Sequence, residues 1–119
     1  MSQKRDRIQV EDADDVTIVH FVDKKILDEQ NITAVGDQLF QLVDEMGRRK
    51  LLLNFKNVDF LSSAVLGKLV TLNRKVQAAR GKLVLCNLNK DLLEVFKITR
   101  MDKLFPIASD QQNGLDLIG

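Results

Sequence analysis

The sequence predicts an α/β fold: a single domain with a mixed β-sheet of four to five strands and helices packed mainly on one side. Three observations lead there. Apolar, β-branched runs alternate along the chain with stretches of 3.6-residue periodicity, so strands and helices take turns. The run at 83–88 is hydrophobic at both parities, as in a parallel strand covered on both faces. The 119 residues, 45% apolar and 29% charged, suffice for one core without disulfide or metal support. No repeat, low-complexity segment or linker divides residues 1–119.

The elements follow in order. Residues 1–7 are polar and are expected to be disordered. Ile8, Gln9 and Val10 predict a short strand, residues 11–15 an acidic turn, and residues 16–22 the clearest strand of the chain; together they make an opening hairpin. His20, the one histidine, has no ligand-type cluster near it and reads as a partly exposed strand side chain. Residues 23–27 form a connection. Asp28 is placed to cap a helix over 30–47, whose Ile32, Val35, Leu39, Leu42, Val43 and Met46 make one apolar stripe ended by Gly47. Arg48, Arg49 and Lys50 follow at the negative end of the helix dipole. They read as a solvated helix end, with a phosphate-binding patch as the alternative.

The second half repeats the alternation. A strand at 51–55 and a polar turn at 56–59 lead through Phe60 and Leu61 to Ser62 and Ser63. A helix over 63–79 follows, with Leu66, Leu69, Val70, Asn73 and Val76 at helical spacing. Arg80 and Gly81 stop it. After the strand at 83–88, Asn89 caps a third helix carrying Leu92, Leu93 and Phe96. Residues 99–103 connect to a last strand at 104–108, which Pro106 assigns to an edge. Ser109 or Asp110 starts a short terminal helix.

Composition excludes several functions. Eighteen basic and 17 acidic residues leave a net charge of +1, so no global field favours nucleic acid or an anionic membrane. Six Phe are the only aromatics, which argues against a base-stacking platform. No apolar run approaches the roughly 20 residues that span a bilayer, and the N-terminal charges precede no signal-peptide core. The chain therefore reads as cytoplasmic. The single cysteine, Cys86, lies in an apolar run and reads as a buried small hydrophobe. There is no glycine-rich phosphate loop, no zinc-type Cys/His spacing, and no base for a serine nucleophile beyond the isolated His20. Neither an enzyme nor a cofactor is expected.

What remains is the pair of serines at the strand-to-helix turn. A hydroxyl there can cap the free N–H groups of the helix, and the same groups suit an anion. The segment V-D-F-L-S-S-A-V-L-G-K-L resembles the phosphorylation-site segment of STAS domains, the anti-sigma factor antagonists, which read close to V-x-F-[ILM]-D-S-[ST]-G-[LI]-G. Val58, Phe60, Leu61, Ser63, Leu66 and Gly67 match. Ser62 stands where the family has an acid, and Val65 where it has a glycine. Residues 80–88, R-G-K-L-V-L-C-N-L, resemble the family's G-G-x-L-x-L-x-x-[VL] strand. Residues 97–107 resemble its F-x-x-[TS]-[GR]-[LM]-D-x-[LV]-F-x-[IV] ending.

The resemblance, which spans about 10–118, implies a partner and a switch. The partner would be an anti-sigma factor that is also a serine kinase of the histidine-kinase-like ATPase type. It would bind at Asp59, Phe60, Leu61, Ser62, Ser63, Ala64, Val65 and Lys68. Phosphorylation of Ser63, alternatively Ser62, would release it; self-association is a further option. A scaffold module in a larger signalling assembly, without phosphorylation, is the rival reading.

Overall fold

The structure is a computed structural model that describes residues 6–119. Its elements are β1 (Ile8–Ala13), β2 (Val16–Phe21), β3 (Lys25–Ile26), α1 (Glu29–Asp44), β4 (Lys50–Asn54), β5 (Phe60–Leu61), α2 (Ser63–Ala78), β6 (Lys82–Cys86), α3 (Lys90–Ile98), a 3-10 turn (Met101–Lys103), β7 (Ile107–Ala108) and α4 (Gln111–Ile118). The main sheet has the order β1-β2-β4-β6-β7. The β1–β2 hairpin is antiparallel, and every later pairing in that sheet is parallel. The expected mixed sheet is present with five strands.

Alternation along the strands divides the core into two faces. Val19 and Phe21, Leu51 and Leu53, and Leu83 and Leu85 point to the face that carries α1, α2 and α3. Ile32, Val35, Leu39 and Leu42 of α1 meet Leu66, Leu69, Leu72 and Val76 of α2 there. Ile18, Leu52, Val84 and Cys86 point the other way, under Ile118 of α4. Helices thus lie mainly on one side. Leu53, Phe55, Leu69 and Leu85 are fully buried.

Helix starts follow the sequence signals closely. Asp28 accepts a hydrogen bond from the Asn31 N–H at 2.8 Å, Asn89 from Leu92 at 2.8 Å, and Asp110 from Asn113 at 2.9 Å. Each carboxylate or amide oxygen satisfies one orphan donor of the first turn.

Several boundaries differ from expectation, each for a local reason. The acidic stretch is not a turn: Glu11 and Asp12 belong to β1, and only Asp14 and Asp15 turn. An edge strand open to water tolerates charges on its exposed residues. Helix α1 ends at Asp44 rather than 47, with Gly47 in the left-handed region at φ 65°, so Met46 lies off the stripe and is exposed. Strand β6 stops at Cys86, because Asn87 takes φ 58°. The last strand keeps only Ile107 and Ala108, since Pro106 has no N–H to add to a ladder. It does lie at a sheet edge. Residues 1–5 lie outside the described residues. Arg7, expected to be loose with them, pairs with Asp23 at 3.2 Å and donates its backbone N–H to Gln38 at 2.7 Å.

Residues 23–27, expected to be plain connection, contain β3. It pairs in parallel with β5 in a separate two-stranded sheet, Lys25 opposite Phe60 and Ile26 opposite Leu61. Each of these short strands runs directly into one of the long helices, α1 or α2.

Candidate functional site

The strand-to-helix turn at Ser62 and Ser63 is built on a pinned backbone. Three asparagines hold the turn that precedes it. Asn54, nearly buried at the end of β4, accepts from the Lys56 N–H at 2.9 Å and from Asn87 Nδ2 at 3.1 Å, and donates to Gln111 Oε1 at 3.0 Å. Asn57 Nδ2 donates to the carbonyls of Phe21 at 3.1 Å and Val22 at 2.8 Å. Asn89 Nδ2 reaches the carbonyls of Val58 at 3.4 Å and Asp59 at 3.3 Å, while its oxygen caps α3. The β3–β5 pair then carries the chain on: Asp59 N–H donates to the Lys24 carbonyl at 2.7 Å, and Ser62 N–H to the Ile26 carbonyl at 3.0 Å. Apart from the asparagine cap of α3, none of this bracing is visible in sequence periodicity, because single amides carry no pattern.

The two serines have different tasks. Ser62 is the N-cap of α2, with φ −76° and ψ 152°, and its hydroxyl accepts from the Ala64 N–H at 3.1 Å. Ser63 is the first residue of the helix and is exposed. Its hydroxyl has no hydrogen-bond partner among the described residues. The geometry therefore offers one engaged hydroxyl and one open one, at the end of a 16-residue helix where partial positive charge gathers.

The other predicted site residues surround this point unevenly. Asp59 and Ala64 are exposed, Leu61 is half-buried, and Phe60 is 51% exposed with Lys25 Nζ 5.7 Å from its ring centroid. Lys68 is half-buried: its stem lies over Gly36 of α1, and its ammonium is 5.9 Å from the Phe40 ring centroid. Val65 is 1% exposed and packs in the core with Leu69, Leu72 and Val76. Positions 65, 69, 72 and 76 share one helical face, so the bulk at Val65 fills the core and adds nothing to the outer surface. Sequence reasoning missed Leu27, an exposed leucine at the end of β3. In the continued β3–β5 register it comes level with Ser62.

Elsewhere the candidates are plain. His20 is half-exposed and meets Glu11 at 3.1 Å. Cys86 is buried, and burial, with the nearby Asp110 carboxylate, pushes its thiol up to about 11. Among the described residues, no three His, Cys, Asp or Glu side chains cluster as metal ligands do. No helix among them is long and apolar enough to cross a membrane.

Fold and site together define a class: a small α/β domain that presents a serine at the start of its second long helix, on a braced turn. Residues 7–114 match the family model described as STAS domain, and the chain belongs to that family. A relative from Bordetella bronchiseptica, named as the anti-sigma factor antagonist BtrV, is 29% identical over 87 residues, covering 73% of this chain and 74% of that protein. The fold is shared with an anti-sigma factor antagonist from Thermotoga maritima, at TM-score 0.83 and 21% identity over 93% of both chains. It is also shared with an anti-sigma-factor antagonist domain protein from Planctomyces limnophilus, at TM-score 0.82 and 23% identity over 94% of this chain and 97% of that one.

Proposed function

We propose that this protein is a cytoplasmic anti-sigma factor antagonist. It binds an anti-sigma factor that is also a serine kinase of the histidine-kinase-like ATPase type, and phosphorylation of Ser63 releases it. The observation that carries this reading is the open hydroxyl of Ser63. It is exposed and unpartnered at the helix start, whereas the Ser62 hydroxyl is occupied by its cap. The kinship with a named anti-sigma factor antagonist supports the partner class. The docking surface is the rim formed by the exposed Asp59, Phe60, Ser63 and Ala64 and the half-buried Leu61, Ser62 and Lys68, with Leu27 beside it.

The energetics suit a switch. A bare serine beside Phe60 and Leu27 leaves a neutral, partly apolar surface that a partner can cover. A phosphate adds a charge of about −2 there. Burying it unpaired costs several kcal/mol, and about 1.4 kcal/mol already changes affinity tenfold.

The test is mass spectrometry of the parent, Ser62→Ala and Ser63→Ala after incubation with ATP and a kinase that binds the protein, with affinity measured alongside. Phosphate should be found on Ser63, vanish in Ser63→Ala, and weaken binding where present. Ser62 stands where the family pattern that the segment resembles has an acid, and that departure favours the rival scaffold reading. If neither serine is modified by a kinase that binds the chain, the scaffold reading replaces the switch.

A further inference from the structure

The far end of the sheet from Ser63 carries a concentration of positive charge that the net charge of +1 conceals. An open hollow of 670 Å³ there is lined by Arg48, Arg49, Lys50, Arg80 and Lys82, with Asp15 the one acid among the described residues that line it. The cations come from two adjacent parallel strands and the segments that lead into them. In the β4–β6 register Lys50 stands directly opposite Lys82. Like charges opposite each other on neighbouring strands repel. Gly81 brings the two segments together: a Cβ on it would lie 1.9 Å from the Arg49 carbonyl oxygen.

Helix ends explain part of this charge, since cations favour the C-termini of α1 and α2 that finish here. They do not explain its excess. Two of the five cations are neutralised by acids of the β1–β2 hairpin, Arg48 by Asp12 and Lys50 by Asp15, both at 2.8 Å. Arg49, Arg80 and Lys82 have no carboxylate partner among the described residues. Arg49 only reaches the Arg80 carbonyl, at 3.4 Å. Arg80 is held in the left-handed region at φ 60°.

We infer that this end of the sheet is a second docking surface, which takes a carboxylate-rich segment of a partner protein through Arg49, Arg80 and Lys82. The two internal pairs show the chemistry: this end already holds carboxylates at hydrogen-bonding distance. An incoming acidic segment extends the same arrangement to the three uncompensated cations. Arginine suits the task, because its planar fork matches a carboxylate. The surface is independent of Ser63, and both ends can be occupied at once.

The probe is a fluorescein-labelled hexaglutamate peptide, followed by anisotropy and by amide shifts in 1H–15N spectra. Shifts should cluster at 47–50 and 80–82 and spare 59–68. Binding should weaken as salt rises. The combined variant Arg49→Gln, Arg80→Asn, Lys82→Gln should bind about tenfold more weakly or worse with an unchanged spectrum elsewhere; asparagine is chosen because it tolerates positive φ. A control with equal charge loss, Lys90→Gln, Lys97→Gln, Lys103→Gln, should bind like the parent. Equal weakening in both variants, or shifts scattered over the surface, would overturn the inference. Tighter binding of triphosphate or of a short oligonucleotide than of the peptide at this end would overturn the choice of an acidic protein segment.

Discussion

One substitution made at two positions should change stability in opposite directions. Gly81→Ala places a methyl carbon 1.9 Å from the Arg49 carbonyl oxygen and 2.7 Å from its carbon, far inside ordinary contact. These are backbone atoms, so no side chain can swing aside. The same carbonyl accepts the Lys82 N–H at 2.8 Å, where β6 begins beside β4. Overpacking of this kind costs about 1–3 kcal/mol, and disturbing the hydrogen bond adds about 1 kcal/mol. The expected loss for Gly81→Ala is therefore about 2–4 kcal/mol. Gly67, in the middle of α2, has nothing within 4 Å of the position where a Cβ would stand. Alanine there should add about 0.5–1 kcal/mol by limiting the unfolded chain and favouring the helix. Urea unfolding followed by circular dichroism measures both, with slopes compared to confirm two-state behaviour. A loss under about 1 kcal/mol for Gly81→Ala would refute the close approach of the two segments. A destabilised Gly67→Ala would refute the open surface on that side of α2.

Other expectations concern the core, the braced turn, the switch and two titrating groups. Leu85→Ala should cost about 2–5 kcal/mol in the same urea assay, because Leu85 is fully buried in a central strand. Asn54→Ala leaves the Lys56 N–H, the Asn87 Nδ2 and the Gln111 Oε1 without their Asn54 partner, should cost about 1–3 kcal/mol, and should speed hydrogen exchange at residues 56–59. Ser62→Asp restores an acid next to Ser63 while keeping a residue that caps well; if the missing acid limits the reaction, kinase assays should show faster phosphorylation of Ser63. Asp15, hydrogen-bonded by Lys50, titrates below its ordinary 3.8. A depressed carboxylate adds stability that is present above 3.8 and is lost as pH falls through the folded value, and Lys50→Gln should return the carbon shift of Asp15 to its usual titration. Cys86, raised to about 11, should resist thiol reagents until the protein unfolds. It favours the fold while protonated in both states, so its contribution declines as pH rises from the ordinary value of 9 towards 11.

The parts of the fold legible in sequence were those with a repeated pattern or a capping residue. Strands β4 and β6 announce themselves as short apolar runs, and Asp28 and Asn89 as caps. Strands β3 and β5 were invisible, because two residues cannot show alternation; only the hydrogen bonds of Lys24 and Ile26 to the serine segment define them. Glu11 and Asp12 read as turn residues because an edge strand need not look apolar. At the site, motif and periodicity placed both serines at a helix start. They could not divide the work between them, since that depends on which hydroxyl faces the Ala64 N–H. Val65 was assigned to the surface by its place in a motif, whereas the helical phase it shares with Leu69 and Leu72 turns it inward.

The order of the main sheet bears on how the chain assembles as it is made. Each strand of β1-β2-β4-β6-β7 lies beside the one synthesised before it. The sheet can therefore grow from the ribosome in sequence, without holding a strand in reserve for a neighbour at the far end of the chain. The two faces do not mature together. Helices α1 and α2 cover theirs as the strands are laid down, whereas Leu52 and Val84 wait for Ile118 of α4, the last of these elements. Late in synthesis the nascent domain presents one dry face and one bare one. That interval is when it is open to chaperones and to misassembly with other chains.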